Sequence, residues 1–140
     1  MNYKLISSVL IASLSSVVCT VSGDLLITGV YDGPLSGGTP KGVELYVVND
    51  IADLSQFALG SANNGGGTDG EEFTFPAGSA IAGSFIYVTN NVGAFYDYYG
   101  FSPDYTSSAM SINGDDAIEL FNSGTVIDVF GDIDVDGTAN

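Results

Sequence analysis

Histidine is absent from the chain, only two residues are basic, and there is a single cysteine. Without imidazole there is no histidine-based triad, no histidine metal cluster and no imidazole acid–base chemistry. Cys19 sits in an N-terminal segment that reads as a removable leader. The mature chain then has no thiol nucleophile and no disulfide framework, even in an oxidising compartment. Stability has to come from an apolar core or from a bound ion. Past the leader, Lys41 stands alone against all 17 acidic side chains. Such a surface repels nucleic-acid phosphates and anionic lipid, attracts cations, and stays soluble in high salt where self-repulsion is screened. No nucleic-acid partner is expected. The acids are scattered and 45% of the residues are hydrophobic, which is the composition of a folded domain and not of a disordered acidic tail.

Long hydrophobic runs are missing as well. The best candidate, Leu5–Val18, is too short and too serine-rich for a membrane span. With Lys4 before it and small residues after it through Gly23, it has the three-part pattern of a secretory signal peptide, cleaved after Ser22 or Gly23. Residues 1–23 are therefore assigned to a signal-peptide helix and 24–140 to one domain, expected outside the cell with no membrane span in the mature chain. Two other readings stay open. One is a retained N-terminal anchor. The other is lipid attachment at Cys19, although Val18 precedes it where a small residue is usual.

What the chain does have is short apolar runs separated by Gly, Asn, Asp and Pro, the pattern of an all-β protein. Strands are expected at Leu25–Tyr31, Val43–Val48, Phe57–Leu59, Glu72–Phe75, Ser84–Thr89, Ala117–Phe121 and Val126–Phe130. Val43–Val48 is nearly continuous in apolar character, which suits a central or doubly covered strand. Pro34–Pro40, Ser61–Gly70 and Phe101–Met110 read as loops or irregular segments. Ser123-Gly124 makes Asn122–Thr125 a tight hairpin. Asn91–Gly100 is the one helix candidate. An Asn side chain can accept from the free first-turn amides, Gly can close the end in the left-handed conformation, and Phe95 would share a face with Tyr98 or Tyr99. The competing reading is an aromatic-rich loop. Seven short strands at close spacing favour a sandwich over a barrel.

Several segments, taken in order, resemble the lamin-tail domain family in its secreted form. They are Leu26-Ile27-Thr28, Val43-Glu44-Leu45-Tyr46, Asp53-Leu54-Ser55, Phe75-Pro76-Ala77-Gly78, Asn113 through Leu120, and Val126 through Gly131. The resemblance implies an immunoglobulin-like β-sandwich with one short helix. There are departures. Gly29 stands where an acidic residue is common, Val47 and Val48 delay the Asn that usually follows Glu-Leu-Tyr, and no Trp-containing final segment follows Asp-Gly-Thr. The chain thus looks like a C-terminally truncated or short member, and a missing last strand would leave an open sheet edge for pairing with another chain.

Few residues offer chemistry. Gly65–Gly67 lacks the Lys and the following helix of a phosphate-cradling loop, and reads as flexibility. Asp115, Asp116 and Glu119 suggest paired carboxylates. Adjacent strand residues face opposite ways, however, so a solvated turn is the expectation. Asp132, Asp134 and Asp136 followed by Gly137 match the opening of a calcium-binding loop, because alternate carboxylates can wrap one hard cation. They also fit the ordinary tail that the resemblance implies. Glu44, set in an apolar run, is expected to bond to loop amides in a structural role. The cluster Phe95, Tyr96, Tyr98, Tyr99, Phe101 and Tyr105 is core or lid on one reading, and a platform for sugars or a partner on the other.

The leading expectation is a secreted, non-catalytic module for adhesion or protein interaction, not an enzyme. It would meet an extracellular protein or surface through strand edges and acidic loops, with edge-strand self-association as a further route. The alternatives are an accessory domain of a secreted nuclease- or phosphatase-type enzyme whose catalytic part lies elsewhere, and a calcium-binding acidic surface protein. No cofactor other than calcium is suggested.

Overall fold

Alternation along the strands sorts the side chains into two faces. In Thr39–Val47, Val43, Leu45 and Val47 are buried, while Glu44 and Tyr46 on the opposite face are only half-buried. The same period of two puts Ile86 and Val88 inward and Phe85 and Tyr87 outward in the partner segment. The computed structural model describes residues 23–137. The expected signal peptide, Met1–Ser22 with Cys19, lies outside the described residues, as do 138–140.

In chain order the elements are β1 (Leu25–Leu35), β2 (Thr39–Val47), β3 (Phe57–Ala62), β4 (Phe73–Thr74), β5 (Phe85–Thr89), α1 (Val92–Tyr99), β6 (Tyr105–Thr106), β7 (Ala117–Asn122) and β8 (Thr125–Phe130). They form two four-stranded sheets, one ordered β1-β2-β5-β6 and the other β4-β3-β7-β8. All pairings are antiparallel except β5 with β6. This is the expected all-β sandwich with one short helix. Between the sheets lie Leu25, Val43, Leu45, Val47, Leu59, Phe75, Ile86, Val88, Ile118 and Leu120, closed at the ends by Ile51, Leu54, Met110 and Ile112. Each such side chain contributes roughly 1.5–3 kcal/mol on burial. With no cysteine among the described residues, this core is what holds the sheets together. No helix among the described residues is long and apolar enough to cross a membrane.

Three segments depart from expectation, each because a strand partner was available. Pro34–Pro40 is not a loop throughout: β1 runs to Leu35 and β2 begins at Thr39, with Leu35 opposite Thr39 and the turn made at Gly37 and Gly38, both at positive φ. Ser61 and Ala62 extend β3, because Ile118 and Ala117 of β7 stand opposite them. Phe101–Met110 contains β6 and a 3-10 turn at Ser108–Met110. In each case tertiary pairing outweighs weak local propensity. The two-residue hairpin turn at Ser123-Gly124 forms as expected, with φ of 51° and 79°.

Two charged side chains, the largely covered Lys41 and the buried Glu119, are held on very different terms. Lys41 lies opposite Asp32 in the β1–β2 ladder, and its ammonium stands 3.2 Å from an Asp32 carboxylate oxygen. It also donates to the Ile112 carbonyl, so a single cation ties β1, β2 and the 107–116 segment together. Glu119 of β7 is 2% exposed, and its Oε2 has no hydrogen-bond partner among the described residues. Methionine at these two positions should therefore act in opposite directions. Lys41→Met leaves the Ile112 carbonyl without its donor and Asp32 without its cation and should cost about 1–3 kcal/mol, whereas Glu119→Met removes a buried carboxyl group with one oxygen unpartnered and should be neutral or stabilise by about 1 kcal/mol. Urea unfolding of both variants measures the pair. Equal losses would contradict it.

Candidate functional site

The outer face of the β1-β2-β5-β6 sheet is built around Glu44. Strand register sets this central β2 residue between Gly29 of β1 and Tyr87 of β5. The β1 ladder slips between Ile27 and Gly29, which frees Thr28 from pairing. The Thr28 hydroxyl donates to Glu44 Oε1 at 2.9 Å. Glu44 thus has a structural bond, but to a hydroxyl and not to the loop amides that were expected.

Tyr31 lies two residues beyond Gly29 on the same face, and its hydroxyl crosses β2 to donate to the Val88 carbonyl at 2.9 Å. The crossing passes over Gly42. A Cβ there would collide with the Val88 carbonyl and the Tyr31 ring, so only glycine permits it.

Helix α1 covers this face. The Asn91 side chain accepts from the Ala94 amide at 2.9 Å, and Gly100 ends the helix at φ 80°, so both expected caps are present. Phe95 on its inner side is fully buried but lies apart from the inter-sheet core. Four rings surround it, with centroids at 4.7 Å (Tyr99), 5.2 Å (Phe101), 5.7 Å (Tyr87) and 5.9 Å (Tyr31). These same four side chains, with Gly29, Val30 and Glu44, line a recess of about 230 Å³. Tyr99 and Phe101 are about two-fifths exposed at its rim. Tyr31 meets Tyr99 at 72° and Tyr87 meets Phe101 at 70°, so the rings wall the recess from different sides and do not form one flat platform.

The phenols are poor acids here. Burial pushes Tyr31 well above the ordinary value, and the neighbouring Tyr99, Tyr87 and Glu44 add to it. Burial followed by Glu44 raises Tyr87, and burial, Tyr98 and Glu44 raise Tyr99. The arrangement offers one carboxylate with aromatic surface around it.

The residues singled out from sequence end up in several places. The aromatic cluster divides: Phe95, Tyr99 and Phe101 build the recess, Tyr96 and Tyr98 are exposed, and Tyr105 packs with Phe73 and Phe75 below the other end of the sheet. Asp116 is not a solvated turn residue. It is buried, and its oxygens accept from the amides of Asn64 at 3.2 Å and Asn113 at 3.0 Å, because the 63–70 loop folds over it. Asp132, Asp115 and Asp116 are among the residues that line another recess, of about 200 Å³, without converging on one point. The Asp132 carboxylate accepts from the Asp134 amide at 3.0 Å. Asp134 and Asp136 run beside the glycines of the 63–70 loop, where Gly67 donates to the Ile133 carbonyl at 2.9 Å. Among the described residues, no three acidic, histidine or cysteine side chains gather where they could hold a metal ion. Gly29, Tyr31 and Tyr87 were not anticipated as site residues. Their signal was the outward-facing aromatic at alternate strand positions, where a solvent face would carry polar groups.

No protein-family model, curated protein or solved structure matches the chain.

The raised phenols make a prediction about alkaline stability. In the unfolded chain they titrate near 10, and in the fold they titrate higher. Their contribution is therefore complete below about pH 10 and is lost as pH rises through the folded values. Tyrosinate absorbance should show a late-ionising fraction that appears together with loss of the folded circular dichroism signal, and Tyr31→Phe should shrink that fraction. Full ionisation near pH 10 with the fold intact would contradict this.

Proposed function

We propose that the chain is a secreted, non-catalytic binding module of lamin-tail type, and that the Glu44 recess is where it engages a partner. The signal-peptide pattern of Met1–Gly23 supports secretion, and the ordered run of motifs in an all-β sandwich supports the lamin-tail reading. The observation that carries the binding role is the recess itself. Four aromatic side chains surround a single carboxylate, and that carboxylate is held by Thr28. Aromatic groups of this kind supply contact area and rigidity. Acyl, phosphoryl or glycosyl transfer would need a nucleophile or an acid–base pair tuned to the working pH. The phenols are shifted away from such tuning.

Strand-edge pairing with a second copy is a weaker route to association. Of the four edge strands, β4 and β6 are two residues long and give little for another strand to pair with, and the longer edges β1 and β8 meet each other where the Ile27 amide donates to Asp128.

Gly29→Val tests the reading. The position is not at positive φ, and an added Cβ would touch only Glu44, at 3.5 Å, so the substitution fills the recess without straining the backbone. Mature wild-type protein should bind saturably to the extracellular fraction of its own source, and the variant of equal thermal stability should not. Equal binding by both overturns the recess as the binding site. Turnover of ester, phosphate, glycoside or peptide substrates at ordinary enzymatic rates overturns the non-catalytic assignment.

A further inference from the structure

We infer that the recess recognises an alkylammonium group, such as the side chain of a lysine on a basic partner protein. The inference rests on the recess being the binding site, and it adds the chemistry of what enters. Three observations carry it.

The first is the charge of the floor. Among the described residues Lys41 is the only cation, and it is committed to Asp32 and the Ile112 carbonyl, so no described basic side chain neutralises Glu44. An apolar ligand filling the recess would strip water from that carboxylate and return nothing for it. An anion would meet the carboxylate directly, within a chain of formal charge −15. A cation gains on both counts.

The second is the wall. Aromatic ring faces carry negative quadrupole density and attract a cation placed over them within about 6 Å of the centroid. Tyr31, Tyr87, Tyr99 and Phe101 stand around one volume of about 230 Å³ at steep mutual angles, which suits a rounded cation contacted from several directions. A sugar ring would prefer a flatter platform with several hydrogen-bonding groups beside it. The wall offers only phenol hydroxyls, of which that of Tyr31 is spent on Val88 and that of Tyr87 is engaged with Glu44.

The third is the geometry of the carboxylate. One Glu44 oxygen already accepts from Thr28 at 2.9 Å. A guanidinium binds best as a fork across both oxygens and stacks on a single ring, and neither option is well served here. A compact ammonium needs only one accepting lone pair and leaves its alkyl stem to the rings.

The chain has no tryptophan, so emission comes from its 8 tyrosines, of which Tyr31, Tyr87 and Tyr99 line the recess. Calorimetry and tyrosine fluorescence with n-butylammonium, 1-butanol, a lysine-containing peptide and its norleucine analogue make the test, on wild-type, Glu44→Gln and Gly29→Val protein of verified fold. Butylammonium and the lysine peptide should bind saturably, and butanol and the norleucine peptide should not. Glu44→Gln should weaken cation binding by about tenfold or more, and Gly29→Val should abolish it. A lysine peptide that outcompetes butylammonium puts the group on a protein; equal affinities put it on a free amine. Butanol binding as tightly as butylammonium, or an unchanged affinity in Glu44→Gln, overturns the cation assignment while leaving the recess as a binding site. No binding by either ammonium probe also overturns it, and the Gly29→Val capture experiment then decides separately whether the recess binds anything.

Discussion

Phe95 is the pin of the outer sheet face. Helix α1 has eight residues, far fewer than an isolated helix needs to persist in water. Its caps satisfy a few terminal groups, but the helix is held down by one buried aromatic side chain. Burial of a phenylalanine contributes roughly 1.5–3 kcal/mol, and each well-placed ring pair adds about 0.5–1.5 kcal/mol. With four rings around Phe95, that contact outweighs a single cap of about 1 kcal/mol. Tyr99 is on α1, and Phe101 follows it directly. Both rim residues of the recess are therefore in position only while Phe95 is docked. From the sheet side, Tyr31 and Tyr87 complete the ring, and Gly42 gives Tyr31 its path.

The molecule thus has two apolar clusters with different duties. The inter-sheet core is mainly aliphatic, with Phe57 and Phe75 among its members, is built from both sheets, and carries the stability that cross-links would supply elsewhere. The outer cluster is aromatic and open on one side, with a carboxylate at its base. A chain so rich in acids resists compaction through self-repulsion. Its one described cation is placed where it does most, joining two strands and a distant segment.

Short apolar runs bounded by Gly, Asn, Asp and Pro made the strands legible before the structure, as at Val43–Val48 and Ser84–Thr89. The helix was legible from its punctuation, since Asn91 and Gly100 have distinct backbone roles at its two ends. Ser61-Ala62 and the 32–42 hairpin were not, because Gly, Pro and Ser carry no strand signal and pairing there depends on partners far along the chain. Asp116 misled for a similar reason: one of its two amide partners, Asn64, comes from a loop more than fifty residues earlier. The recess was half visible. Glu44 and the Phe95–Phe101 segment stood out locally, but the residues that complete the site come from β1 and β5, and only register brings Gly29 and Tyr87 to either side of Glu44.

At the other side of the sandwich, the Ile27 amide donates to Asp128 Oδ2 at 2.8 Å. Ile27 belongs to β1 and Asp128 to β8, the outermost long strands of opposite sheets. β1 is an edge strand, so an amide of it that faces away from β2 can point at the neighbouring sheet. A carboxylate therefore occupies a main-chain donor that would otherwise be free to template a foreign strand. Two successive residues of one edge strand thus serve different faces: Thr28 steadies Glu44 on the outside, and Ile27 closes the seam between the sheets to strand addition at that point.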